Sequence, residues 1–403
     1  MEDPQVAERT FAGIAATGVR WVRVDLRWYL VEPHGPSLSS GQADWSEMDA
    51  IVRAADRHGL QLLPILGYSP AWTTDEHVHW AFPDAAPFEN FFEAALRRYP
   101  QIAAWELWNE PNFRVFAKPQ PDPAGFVAFL RSADRVRDRA NPGAKLISGG
   151  LAPGGDIDIL PWVDEVARLG GLELVDGLGV HPYSPWQPDD PRALMMRLES
   201  LHERLAFLGR PDLALWLTEY GAPTAANASG WGPALTEKEQ ARRLRVAFAL
   251  ATRLPFIENL TWFEYRDGCV EPALADCHFG LVRDDLSLRP AYHALRDVIA
   301  GTRTLLRSRL ALSSRVARRV RPASETVRVK GTLLLPGSAR SRSRITLRVL
   351  PRGERPTTLK ILVSGGAFHT HLRRHGRGPW RIEARYAGSH VYEPAVARTR
   401  LGP

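Results

Sequence analysis

Two glutamates stand in matching settings. Glu110 ends the run Ile102-Ala-Ala-Trp-Glu-Leu-Trp-Asn-Glu-Pro-Asn, and Glu219 ends Leu213-Ala-Leu-Trp-Leu-Thr-Glu before a Tyr-Gly pair. Each closes an apolar run of strand length. Pro111 has no N–H to give a ladder and stops the first run. A carboxylic acid and a carboxylate facing each other across a glycosidic bond are what glycoside hydrolysis needs. One of the pair has to hold a proton near neutral pH, which asks for an apolar or anionic neighbourhood. Trp105, Trp108 and the opposing Glu219 are expected to supply it for Glu110.

The elements that must position this pair alternate. Residues 3–17 read as a helix, with Asp3 as cap, Pro4 at the first position and Gly18 after the end. Strands follow at 19–26, 60–67, 102–109, 144–149, 176–181, 213–219 and 257–264. Helices at 45–58, 88–98, 123–139, 158–168, 190–207 and 236–252 separate them, and one at 290–300 closes the series. Such alternation predicts βαβ units around a parallel sheet. With seven strands and a helix at the start, the reading is a TIM (β/α)₈ barrel apparently lacking its first strand. A seven-stranded open sheet is the alternative. A barrel gathers its strand tips on one face. The tips here carry Arg23, Asp25 and Trp28; Tyr68 and Trp72; Asn109 and Glu110; His181 and Tyr183; Glu219; and Trp262 and Glu264. The aromatic ones offer flat apolar area for sugar rings.

The strings RWVRVDLRW, WELWNEPN, GVHPYS and WLTEYG resemble the motifs of clan A glycoside hydrolases, in texture families 5 (cellulase-like) and 39 (β-xylosidase-like), over roughly residues 3–300. In that clan the acid/base follows Asn on the fourth strand and the nucleophile ends the seventh. Here Glu110 and Glu219 end the third and sixth, so both shift by one, as loss of the first strand requires. The resemblance implies Glu110 as acid/base and Glu219 as nucleophile. It implies Asn109 on the substrate 2-hydroxyl, Arg23 steadying the nucleophile's charge, and His181 and Tyr183 lining the site. It places Trp262 under the sugar ring. Trp28 and Tyr68 are further expected substrate contacts. The implied function is a retaining hydrolase of β-linked oligo- or polysaccharide, needing no metal and no cofactor. The competing reading is a non-catalytic carbohydrate-binding relative or an inactive fragment. Singly, each residue has a plainer explanation. Asn109-Glu110-Pro111 could be a turn, Glu219 a surface charge, His181 a satisfied polar group. Their order and spacing together carry the case.

Charge divides the chain. Residues 302–403 hold 23 Lys and Arg against 4 Glu, while the remainder holds 29 basic against 41 acidic residues. The net +7 thus hides an acidic body and a basic tail, which predicts two domains with different partners. The expected domains are a barrel over 1–301, a basic linker over 302–324, and an immunoglobulin-like β-sandwich over 325–403, the last from short alternating runs separated by Pro, Gly and Ser. The tail is expected to lie as a solvated face or against an anionic cell-surface polymer. Nucleic acid ranks last, since no nucleic-acid motif occurs. No apolar stretch approaches the roughly 18 residues of a membrane span. Cys269 and Cys277, the two cysteines, fall in one loop and are expected to pair, which implies an oxidising compartment. The expected location is extracellular, with a signal peptide lost along with the N-terminus. Asn227-Ala-Ser229 fits a glycosylation acceptor by pattern alone.

Overall fold

The structure is a computed structural model. It describes residues 4–183, 191–225, 235–252, 254–269, 274–301, 309–321, 324–334, 343–351, 356–363, 366–375, 378–387 and 395–402. The triplet at 227–229 lies outside them. The chain divides into two compact units, 1–188 with 197–302, and 303–403 with 189–196.

The first unit begins with α1 (Pro4–Ala15), then β1 (Trp21–Arg27), the short α2 (Trp28–Val31), α3 (Ser46–Arg57), β2 (Gln61–Gly67), α4 (Ala85–Arg98) and β3 (Ala104–Asn109). It continues with α5 (Pro123–Ala140), β4 (Lys145–Gly150), α6 (Ile159–Arg168), β5 (Gly177–Gly179), α7 (Pro191–Phe207, of which 197–207 fall in this unit), β6 (Ala214–Tyr220), α8 (Glu237–Ala251), β7 (Ile257–Trp262) and α9 (Pro290–Ile299). The seven strands are parallel neighbours in chain order, and among the described residues nothing pairs β7 with β1. The sheet therefore curls as a barrel does but stays open at that seam. A cavity of about 610 Å³ lies there, lined by Trp21–Asp25 of β1 and Glu258–Trp262 of β7. Local sequence fits each element. Thr236 and Glu239 close a capping box at the start of α8, and Pro123 opens α5 behind the cap Asp122. The strand expected at 176–181 is shorter, ending at Gly179, so His181 sits just past its tip.

Alternation along the strands sends one set of side chains inward. Trp21, Leu63, Ala104, Ile147 and Trp216 form an apolar floor, with Trp21 edge-on to Trp216 at 5.5 Å. Two residues further along three of these strands the interior turns polar, at Arg23, Glu106 and Thr218. The outer faces bury Trp105 and Trp108 against Phe92, Phe82 and Phe129 of the helical layer and its loops.

The second unit is an antiparallel β-sandwich. Its strands are β8 (Arg309–Arg321), β9 (Ser324–Leu334), β10 (Ser343–Pro351), β11 (Thr357–Val363), β12 (Ala367–His375), β13 (Trp380–Tyr386) and β14 (Ala395–Leu401). One sheet runs β12-β9-β8 and the other β11-β10-β13-β14. The first, second and fifth strands in one sheet and the other four opposite is immunoglobulin-like alternation. Val327, Val329, Ile345, Leu347, Val349, Ile382 and Ala384 fill its core. The stretch expected as a linker is corrected here: 309–321 forms β8, paired along its length with β9. Its Arg/Ser content hid an alternation that pairing with β9 stabilises.

Candidate active site

Glu110 follows the last residue of β3, and its backbone has φ +43°, with Trp108 two residues earlier at +83° and Tyr68, after β2, at +57°. Non-glycine residues rarely hold this left-handed region, and such strain gathers at functional sites. The turn at Trp108 sends its indole outward, where Nε1 donates to Phe116 O at 2.6 Å, and frees Asn109 and Glu110 to face the interior. Asn112 fixes the loop behind them: its amide donates to the carbonyls of Ala152 and Ile157 at 2.8 Å each and accepts from Ala152 N at 3.1 Å.

Arg23 is the hub. Its Nε donates to Glu106 Oε2 at 2.5 Å and Nη2 to Glu106 Oε1 at 3.2 Å. Nη1 donates to Glu219 Oε2 at 3.0 Å, and Nη2 to Asn109 Oδ1 at 2.9 Å. Burial opposes the guanidinium charge, but Glu106 and Glu219 more than offset it and hold Arg23 above its ordinary value. Tyr183 donates to the other Glu219 oxygen at 2.7 Å. Burial alone would raise the Glu219 carboxyl. The fields of His181 and Arg23 and the Tyr183 hydrogen bond win, and leave it below its ordinary value of 4.5. His181, fully buried, has Nδ1 2.8 Å from Glu110 Oε1 and Nε2 3.2 Å from Thr218 Oγ1. It can stand there because β4 ends in glycine: a Cβ on Gly150 would meet His181 Nε2 at 2.0 Å.

Donor atoms of Glu110, His181 and Glu219 lie within 4.8 Å of one another. Those three could hold a cation, but Arg23 beside Glu219 already supplies the positive charge. The arrangement therefore offers two facing carboxyl groups, one fixed as an anion by an arginine and a tyrosine, the other touching a histidine.

Of the residues expected from sequence, Arg23, Asn109, Glu110, His181, Tyr183 and Glu219 converge. Tyr68 stands at the rim and donates to Asp25 Oδ1 at 3.2 Å. Burial raises the Asp25 carboxyl and Glu219 adds to this, while Arg23, Tyr68 and Arg27 oppose it. Trp28 is corrected: it is 2% exposed, stacked on Phe91 at 4.6 Å, and donates to Glu32 at 2.9 Å. Its place directly after β1 turns it into the helical layer. Trp262 is corrected too. It borders the seam cavity but belongs to the buried cluster with Ala222, Leu244, Phe248 and Tyr292, and at 7% exposed it presents no free ring face. Alternation along β7 sends it outward. Trp105 and Trp108 likewise face outward, so the neighbourhood of Glu110 is His181 and Glu219 instead. Glu106, fully buried, was missed. The signal was present, since a lone carboxylate inside an apolar strand demands a charged partner. Cys269 and Cys277 do pair, with Cα atoms 4.6 Å apart.

No protein-family model and no curated protein matches the chain. Solved structures do. One is a family 39 glycoside hydrolase from the gut symbiont Bacteroides cellulosilyticus WH2, at 21% identity and TM-score 0.57, over 92% of this chain and 78% of that one. A GH5_18 from Streptomyces cattleya in complex with GlcNAc gives 20% identity and TM-score 0.58, over 74% and 75%. A β-glucuronidase from Bacteroides uniformis gives 16% and 0.51, over 99% of this chain but 43% of that one. Across such low identity the likeness is one of architecture, and the chain has the fold of these glycoside hydrolases.

Proposed function

We propose that the chain is a retaining glycosidase acting on a β-linked oligo- or polysaccharide by double displacement. The observation that carries this is the pair itself, with oxygens of Glu110 and Glu219 within 4.8 Å. Retaining enzymes hold their carboxyl groups about 5–5.5 Å apart, and inverting ones about 6.5–9.5 Å, to admit a water. Glu219, kept anionic, attacks the anomeric carbon. Glu110 gives its proton to the departing oxygen, then takes one from the water that cleaves the glycosyl ester. The glycoside hydrolase fold supports the same reading. Labelling with an activated 2-deoxy-2-fluoro β-glycoside tests it. The adduct should sit on the peptide containing Glu219, with net retention at the anomeric carbon during turnover. Inversion, or an adduct elsewhere, overturns it. Absence of both turnover and label favours the carbohydrate-binding alternative.

The same reading extends to the sandwich. The outward face of its four-stranded sheet carries exposed Arg344, Arg348, Arg381, Arg385, Arg398 and Arg400, with Glu383 among them accepting from Arg385 and Arg398. This face would hold an anionic cell-surface polymer outside the cell, where the Cys269–Cys277 disulfide persists. Polygalacturonate binding that fades between 50 and 500 mM salt, roughly as counterion screening predicts, supports it; salt-independent binding or none removes it.

A further inference from the structure

The seam cavity opens beside Glu219 rather than Glu110: Glu219 lines it, together with Arg23, Asp25 and Glu264. If Glu219 is the nucleophile, a reading on which this inference rests, the sugar under attack lies over Glu219 and the departing group lies toward Glu110. Groups that line the cavity near Glu219 therefore face the glycone. Asp25 shares the inward face of β1 with Trp21 and Arg23. It is open to the cavity and braced by Tyr68, whose hydroxyl donates to Oδ1 at 3.2 Å from a backbone held at φ +57°. An ionised carboxylate offers about four acceptor sites and no donor. Tyr68 takes one, and the rest are available to O–H or N–H groups of a ligand. The nearby cations are committed, Arg23 to Glu106, Glu219 and Asn109 and Arg27 to Glu47. Arg20 also borders the cavity, but five residues back along the chain, roughly 16 Å away.

We infer that Asp25, braced by Tyr68, sets the charge selectivity of the glycone subsite, which takes a neutral or amino-bearing sugar and rejects a glycuronide. Sugar hydroxyls or an ammonium satisfy Asp25, whereas a sugar carboxylate would face Asp25, Glu219 and Glu264 while Arg23 and Arg27 are already paired. Like charges brought together in this way discriminate by about 100-fold or more.

The test uses the full chain with matched aryl β-glucoside and β-glucuronide, and calorimetry with isofagomine and its carboxylate analogue. Wild type should favour the neutral member of each pair by about 100-fold. Asp25→Asn, which keeps shape and removes charge, should shrink that ratio at least tenfold, and Tyr68→Phe should shrink it less. A folding defect would lower both members together and leave the ratio unmoved. Equal or better use of the glucuronide, or a ratio untouched by Asp25→Asn, overturns the inference. If neither glycoside turns over, the glycosidase reading fails by itself and the two inhibitors decide: weaker binding of the carboxylate, relieved in Asp25→Asn, supports the inference. Equal binding of the two, or binding of neither, overturns it.

Discussion

Arg23 and Arg289 both sit among carboxylates with little exposure, and of these two Arg23 makes a site. Arg289 grips Asp267 through two bonds of 2.6 and 2.8 Å, reaches Glu237 at 3.2 Å and donates to Gly280 O at 3.0 Å. Asp267 also accepts from Gly280 N at 3.0 Å. That cluster clasps the segment that follows β7. Arg23 grips Glu106 as firmly, but its second carboxylate, Glu219, borders a cavity and faces another carboxyl group. The same ion-pair chemistry is a clasp when its carboxylates only hold segments of the chain together. It becomes a reactive centre when one anion is held beside open space. Burial and charge count do not separate the two cases; the direction of the last carboxylate does.

The sharpest way to break this comparison is to remove one carboxylate from each cluster. Glu219→Ala should abolish turnover by roughly 10⁴–10⁶-fold while shifting Tm little, because Arg23 keeps Glu106. Asp267→Ala should do the reverse. Arg289 would lose both bonds to its buried partner and keep only the part-exposed Glu237 as a carboxylate partner, which costs about 3–5 kcal/mol, a Tm drop of several degrees, with kcat on surviving folded protein near wild type. Equal losses of activity and stability in both variants would erase the distinction between clasp and centre.

Glu106 belongs to both descriptions, so Glu106→Gln should be intermediate. It keeps the volume and the acceptor for Gly150 N but gives up the charge that balances Arg23. We expect a loss of about 10²–10³-fold in kcat/KM, together with about 1–3 kcal/mol of stability. Full activity would mean that Glu106 is a clasp only.

The order of these effects explains what the sequence could reveal. The strand tips were legible, because Asn109, Glu110, His181 and Glu219 each end an apolar run and a parallel barrel gathers such ends. Glu106 was not, because it sits inside its run and reads as an interruption. Trp28 and Trp262 misled for the opposite reason: a tip position says which end of the strand a residue occupies but not which face, and alternation turned both into the helical layer. β8 was hidden by composition, since a strand half covered with arginine reads as a linker until its partner β9 is known.

A smaller effect probes how closely the centre is packed. Gly150→Ala would drive a methyl into His181 Nε2, 2.0 Å from its ideal place, and the ring would have to move off Glu110. A misplacement near 1 Å costs about 10²-fold in rate, concentrated in the steps that use Glu110. Slow natural glycosides should therefore suffer more than dinitrophenyl glycosides, whose leaving group needs no proton. Equal loss on both would mean that His181 serves Glu219 rather than Glu110.

The finest distinction lies in the pH profile. Glu219 has a depressed value in the fold, so its ionised form is present, and contributes stability, above the unfolded carboxylate value. Both that stability and the nucleophile are lost as pH falls through the lower folded value. The acid limb of kcat/KM should accordingly lie below 4.5. Tyr183→Phe removes one of the groups that lower it, a hydrogen bond of 2.7 Å to the charged form, so the limb should move to higher pH. The bond is one to a charged group, worth about 1.5 kcal/mol, so kcat should also fall about tenfold at the optimum. Asp267, clasped by Arg289, has no counterpart in the profile, so conservative changes around it should leave the limb in place. An acid limb that stayed put in Tyr183→Phe would show that Arg23 and His181 hold the nucleophile's charge without the tyrosine, and the hydroxyl would then be assigned to orienting Glu219 for attack.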